Sequence, residues 1–366
     1  MNFKQTTCFS AALAAFGLIG CLNDQERQSA PVSLPDGIIA TTTSADYSEG
    51  NLGAYSIADS TVWPNLLSIF NDNSVRTYKG AAYILERSAM SNIIKIDSSA
   101  INHVVKQVHI GNAVNPHDIA FISNTKAYIT CYDADQIVIY NPATGALAGK
   151  SIDLSDRKSE GGTHPCMDAA AVFEGHAYIG LGKLKSDYSQ PSSSSIAVID
   201  GLTDSVEKEI PLIKTNPQGM YLHGSVLYVA CTGAYTNADN SIVLDGDLEA
   251  VDLSGSQVPE TIIDETSLNG NVFDVLVIGD TIGYVLIADA NFANSMVAFN
   301  PRTKTITGPV ADAGTASAME CDGHYVYVAD RCLSNPGIVI IDPSNNHKVG
   351  EAINVGLPPN KLALMR

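Results

Sequence analysis

Histidine and aspartate stand together twice in this chain, at His117-Asp118 in "NPHD" and at His164 and Asp168 in "THPCMD". Imidazole and carboxylate are common metal ligands and acid–base groups. Their spacing matches no diagnostic ligand set. The residues therefore fit either a metal or ligand site, or aspartates that accept hydrogen bonds from neighbouring strand ends beside surface histidines. Asp133-Ala134-Asp135 and Asp245-Gly246-Asp247 are similar to calcium loops. Neither continues into the twelve-residue pattern with its closing glutamate, and turn chemistry accounts for both. GxSxG, HExxH and the P-loop GK[ST] are all absent from the sequence. No catalytic residue, metal or cofactor is assigned, and binding is favoured over catalysis.

The formal net charge is −18. A surface this acidic repels phosphate backbones, so nucleic acid is not an expected partner. Only 16% of residues are charged, while Gly (29) and Tyr (15) are plentiful. That balance favours strands joined by tight turns over amphipathic helices.

The first residues read as an export signal. Lys4 precedes an apolar stretch from Cys8 to Ile19, and "LIGC" ends at Cys21. Small residues before a cysteine at this distance match a bacterial lipoprotein signal. The expected organisation is a signal peptide over 1–20, a lipidated tether over 21–36 with the lipid on Cys21, and one folded domain over 37–366. The lipid would anchor the protein to a membrane without a spanning helix. Leu22 lacks the aspartate that retains many lipoproteins at the inner membrane, which favours the outer membrane or cell surface.

The positioning elements repeat. A strand of one type reads "AYILE", "AYITC", "AYIGL", "LYVAC", "GYVLI" and "VYVAD", with tyrosines at 83, 128, 178, 228, 284 and 327. Each is followed by a second apolar run, such as "QIVIYN" or "SIAVID", and preceded by another, such as "DIAFI". Four short strands per unit of roughly 40–45 residues or more is the period of propeller blades. A β-sandwich shares the strand spacing but not the matching order within each unit. The chain ends in "LPPNKLALMR", an inner strand with no followers, and its domain opens with "GIIATTT" and "NLGAYSI", outer strands with no inner one. Joined, they make a seventh blade. The expected fold is all-β, a seven-bladed β-propeller whose last blade is closed by the C-terminal strand pairing with N-terminal strands.

The "NP" starts (Asn115-Pro116, Asn216-Pro217), the "aYv" and "vid" strands and the "NPATG" turn (141–145) resemble the YVTN/YncE-like β-propeller family over about residues 37–366. The resemblance implies the fold and leaves function open, because propellers host enzymes, receptors and scaffolds. Surface lipoproteins that look like this include corrinoid-capturing proteins of gut bacteria, a resemblance of fold and anchoring alone.

With the closure strand in blade 1, the long connections 182–195 and 232–247 fall on one face of blades 4 and 5, the same face as the segments carrying the His and Asp residues. Long polar loops on one side of a rigid scaffold are the usual place for binding residues. Tyr188, Tyr235 and Asn237 in these loops join His117, Asp118, Asp133, His164 and Asp168 as candidate ligand-binding residues. Asn216 and Asn271, ahead of the inner strands of blades 5 and 6, complete the set. A ring of Asp118, Asp168, Asp274 and Glu320 fails on register. Turns at Asn124-Thr125, Glu174-Gly175 and Asp322-Gly323 set Tyr128 opposite Phe121, Cys131 opposite Asp118, Tyr178 opposite Ala171 and Tyr327 opposite Ala318. Glu320 then falls near the far end, Asp274 is ambiguous, and Asp118 and Asp168 remain as neighbours. The same register puts Cys131 and Cys166 side by side as a possible disulfide, separates Cys321 from Cys332, and leaves Cys231 a free buried thiol.

The leading expectation is a lipid-anchored extracytoplasmic protein that captures a small molecule, cofactor or glycan on this face, with delivery to a membrane transporter as its further role. The alternatives are a periplasmic enzyme of lyase, lactonase or dehydrogenase type, and an adhesive or scaffold lipoprotein.

Overall fold

Each tyrosine strand is the second of four in an antiparallel sheet, and the computed structural model has seven such sheets arranged as a ring among the described residues, 29–237 and 241–366. The signal segment and Cys21 lie outside the described residues. Blade 1 orders Pro359–Met365, Gly37–Thr43, Gly50–Ser56 and Val62–Ile69 from the axis outward. Blades 2 to 7 begin with the inner strands Asn73–Tyr78, Pro116–Ser123, Met167–Phe173, Pro217–His223, Asn271–Gly279 and Ala316–Cys321. No helix among the described residues is long and apolar enough to cross a membrane.

The recurrent tyrosine has a physical reason. Its ring fills the space between sheets, and its hydroxyl needs a partner there. Tyr128 of blade 3 donates to Asp204 in the outer turn of blade 4. Tyr284 of blade 6 donates to Asn346 of blade 7 at 2.7 Å. Tyr327 donates to Asp322 in its own hairpin at 2.9 Å. Blades 3, 6 and 7 are thus each keyed to a turn as well as packed on their neighbours.

The ring closes as expected. Gly37 pairs with Met365, Ile38 with Leu364 and Ala40 with Leu362. Neighbouring blades grip the closing strand from both sides. Ser317 of blade 7 donates to the Pro359 carbonyl at 3.1 Å, and Thr77 of blade 2 donates to the Leu364 carbonyl at 2.5 Å. The last part of the expected tether also docks: Leu34 is fully buried and its N–H donates to the Ser98 carbonyl at 2.7 Å.

Register follows expectation in blade 4, where Tyr178 faces Ala171. It differs in blade 3, where Tyr128 faces Ala120 and Cys131 faces Pro116. The turn falls where expected, but shifts between Phe121 and Ser123 and between Pro116 and Ile119 displace the pairing. In blade 7 Tyr327 faces Glu320, not Ala318. The turn there is longer: Asp322 Oδ1 accepts from the N–H groups of His324 and Tyr325, both at 2.7 Å, which moves the hairpin centre by one residue.

The closing strand is buried and bonded on both sides, so its loss should be costly. Met365→Ala, at a fully buried side chain, is expected to cost about 2–5 kcal/mol. Deleting residues 357–366 leaves the Gly37–Thr43 edge unpaired and should abolish cooperative unfolding near the parent's midpoint. Denaturant titration followed by circular dichroism checks both, and a truncated protein with an unchanged midpoint would contradict the closure.

Candidate functional site in the axial channel

Seven inner strands converge on a narrow channel, and each contributes to its wall. Lys361 comes from blade 1, Arg76 from blade 2, Asp118 from blade 3, Asp168 from blade 4, Gln218 from blade 5, Asp274 from blade 6 and Glu320 from blade 7. All four carboxylates of the rejected ring therefore do face one channel. They are staggered in depth along it: Asp168 is the second residue of its strand, Asp118 the third, Asp274 the fourth and Glu320 the fifth.

The "NP" motif explains how the strands enter. Asn115 and Asn216, the residues just before two inner strands, adopt left-handed backbone with φ of 51° and 60°. Asparagine tolerates this conformation better than most residues. Its side chain then points back to its own blade: Asn115 donates to Asp133 at 2.9 Å, and Asn216 to the Gly233 carbonyl at 3.1 Å. Cys166 occupies the equivalent place in blade 4, with φ of 52°. Its Cβ lies against its own blade, 3.4 Å from where a Cβ on Gly182 would stand. The expected Cys131–Cys166 disulfide is not formed in this structure. Both are free buried thiols, and Cys321, Cys332 and Cys231 are free as well.

Asp118 is consumed by structure. It takes Arg76 Nε and Nη2 in a bidentate pair, both at 2.7 Å, and accepts from the N–H of Ala170 in blade 4 at 2.9 Å. One carboxylate thus links blades 2, 3 and 4. The Asp118 charge, and more weakly those of Glu320 and Asp274, hold the Arg76 guanidinium more firmly protonated than usual, against the opposing effect of its enclosure.

His117 has both ring nitrogens committed. Nδ1 lies 2.8 Å from Asp168 Oδ1, and Nε2 lies 2.7 Å from Arg87 Nη2. Arginine only donates, so Nε2 accepts and Nδ1 carries the proton toward Asp168. The ring stacks on Tyr132 at 4.5 Å. Burial pushes Asp168 up, yet His117, Arg87 and Lys361 outweigh it and hold the carboxyl below its ordinary value. Asp274 and Glu320 go the other way. Enclosure by protein raises both, and like charge adds to it, from Asp118 at Asp274 and from Asp274 at Glu320, with Lys361 and Arg76 only partly offsetting this at Asp274 and backbone N–H groups and Arg76 at Glu320.

The channel itself is a cavity of about 130 Å³, room for a few waters. Above it opens a mouth of about 370 Å³, within the range of small-molecule sites. Arg87, His117, Asp168, Gln218 and Lys361 form its floor, and Tyr132, Tyr188, Phe273, Asn115 and Asp133 frame it. The Lys361 side chain makes no hydrogen bond or ion pair among the described residues. It acts on Asp168 and Asp274 only through space.

Of the sequence candidates, His117, Asp133, Asp168 and Tyr188 line the mouth, and Asp118 lies just below. Tyr235 stands beside it, its hydroxyl donating to Gln218 at 2.6 Å. The others do not join them. His164 pairs with Asp135 at 2.9 Å, so it is not a partner of His117. Asn216 braces the 232–247 connection, as does Asn271, which donates to Glu265 at 3.0 Å and to the Val243 carbonyl at 2.5 Å. Asn237 pins the same connection through Ser241. Sequence reasoning missed Arg76, Arg87, Gln218 and Lys361. For Arg76, Gln218 and Lys361 a signal existed, since each is a polar residue within the first four positions of an inner strand, whereas Arg87 follows the second strand of blade 2.

No protein-family profile and no curated protein matches this chain. Solved structures do. A 6-phosphogluconolactonase candidate from Bacteroides fragilis is 12% identical, with a TM-score of 0.63 over 91% of this chain and 98% of its own. The periplasmic gluconolactonase PpgL of Pseudomonas aeruginosa is 12% identical, with a TM-score of 0.56 over 90% and 99%. Apo AztD of Citrobacter koseri is 12% identical, with a TM-score of 0.54 over 90% and 98%. At these identities the likeness is one of fold: the chain is a seven-bladed β-propeller.

Because Asp274 and Glu320 have raised folded-state values, the folded protein gains stability as pH falls through them and carries a penalty at neutral pH. Asp274→Asn and Glu320→Gln should each raise the melting temperature at pH 7, with the gain shrinking toward acid pH. Calorimetric scans across pH check this, and lower melting temperatures in both variants at pH 7 would contradict the assignment.

Proposed function

We propose that this protein is a lipid-anchored extracytoplasmic binding protein of the YVTN/YncE-like kind, whose channel mouth captures a small hydroxylated anion such as a sugar acid. One observation carries the reading. In a chain of net charge −18, Lys361 faces an open cavity without an ion-pair partner among the described residues, beside Arg87 and His117. An unpaired cation in a concave site favours an anionic ligand, and the surrounding amide and carboxylate groups suit hydroxyls. Tyr132, Tyr188 and Phe273 offer apolar faces for a ring. The size of the mouth supports a sugar-sized ligand over a bulky corrinoid. Anchoring through Cys21 places the domain at an outer membrane or cell surface, where a bound ligand can pass to a transporter.

A second reading, hydrolysis of a lactone, draws on the His117–Asp168 pair and on the two lactonase folds. It is weakened by Arg87, which occupies the His117 nitrogen that a general base needs free.

Calorimetric titration with gluconate, its neutral lactone and uncharged glucose separates the readings. The acid should bind at least about tenfold tighter than glucose, and Lys361→Met should remove about 1.4 kcal/mol or more of that affinity. Added salt should weaken binding. An acid that fails to bind, or a Lys361→Met variant with unchanged affinity, contradicts the proposal, and lactone turnover lost in His117→Ala favours the enzyme. Loss of lipid labelling in Cys21→Ser tests the anchor.

A further inference from the structure

A second cluster lies away from the channel, at the junction of blades 4 and 5. Cys231 ends the second strand of blade 5, and Asp247 begins the third, directly opposite it in the ladder. Glu249 follows two residues later, on the same face of the strand. All three residues are fully buried. One ligand atom from each lies within 4.8 Å of the other two.

The hydrogen bonding of this cluster is incomplete. Glu249 is well served, since its oxygens accept from the N–H groups of Lys214 at 2.8 Å and Ile213 at 3.1 Å. Nearby Glu265 is likewise satisfied, by Gly246, Asn271 and Val272. Asp247 is not. Its Oδ2 accepts from Thr261 at 2.6 Å, but its Oδ1 is buried with no hydrogen-bond partner. An unsatisfied carboxylate oxygen beside a second buried carboxylate is costly unless something positive fills the gap. Neither Asp247 nor Glu249 is ion-paired among the described residues, although Lys214 acts on Asp247 from a distance.

We propose that Cys231, Asp247 and Glu249 bind a divalent transition-metal cation of the zinc type. One sulfur and two carboxylate oxygens select such an ion over calcium or magnesium, which take oxygen donors alone. Three protein ligands leave a fourth position for water or another donor. Binding displaces the thiol proton of Cys231 to solvent, so uptake is favoured as pH rises. Burial pushes both the thiol and Asp247 above their ordinary values, and a bound cation reverses that direction. The site is independent of the channel mouth, so its loss leaves anion binding there intact.

The test uses the full-length chain with zinc or cobalt alone as the probe. The parent should take up one zinc per chain and gain a thiolate-to-cobalt charge-transfer band when loaded with cobalt. Cys231→Ser and Asp247→Asn should each weaken uptake more than about a hundredfold, beyond the effect typical of an outer-shell change. Cys332→Ser should retain the cobalt band. Asp247→Asn preserves shape and removes a buried charge, so it folds without metal. Its melting temperature should equal or exceed that of the metal-free parent and stop responding to zinc. No metal uptake by the parent overturns the proposal, as does uptake that persists in both Cys231→Ser and Asp247→Asn.

Discussion

Pairing of the C-terminal strand Pro359–Met365 with Gly37–Thr43 is the constraint on which the rest of the molecule depends. A ring of sheets has no open inner edge only when its last inner strand is supplied. Here that strand comes from the far end of the chain, and it is also the strand that carries Lys361 into the channel. Closure and binding chemistry are therefore one event: an open ring has neither a complete wall nor its unpaired cation.

Seven inner strands cannot meet at an axis, so the space between them is a polar channel instead of a hydrophobic core. The wall balances its charges unevenly. Arg76 neutralises Asp118 with a bidentate pair, and His117 with Arg87 supports Asp168, but Asp274 and Glu320 stay enclosed with weaker compensation. Buried ionic groups kept at a cost to stability are a mark of functional sites. The rigid pairs hold the floor in place, and the mouth above keeps Lys361 exposed to whatever enters.

The fold was legible because its unit repeats. A tyrosine strand with the same neighbours on each side, recurring six times, leaves one architecture, and orphan strands at the two ends show how it closes. The site was only partly legible. The His-Asp segments at 117–118 and 168 pointed to the right face, since they mark where inner strands begin. Side-chain direction within the channel depends on register, and register turned on details of turns and bulges. The extra residues near Pro116 and Phe121, and the longer Asp322 turn, each shifted a pairing. Cys166 enters its strand through left-handed backbone that its residue type does not announce. Arg76 and Lys361 sit in strands with no partner motif, so only the assembled ring brings them together.

The central claim, that the mouth of the channel holds a small anion through Lys361, is tested most directly by native mass spectrometry of the protein purified under mild conditions from the cells that make it. The account predicts a retained low-mass anionic molecule on the parent that is absent from Lys361→Met. A bare polypeptide mass in both proteins, or equal retention in both, would contradict it.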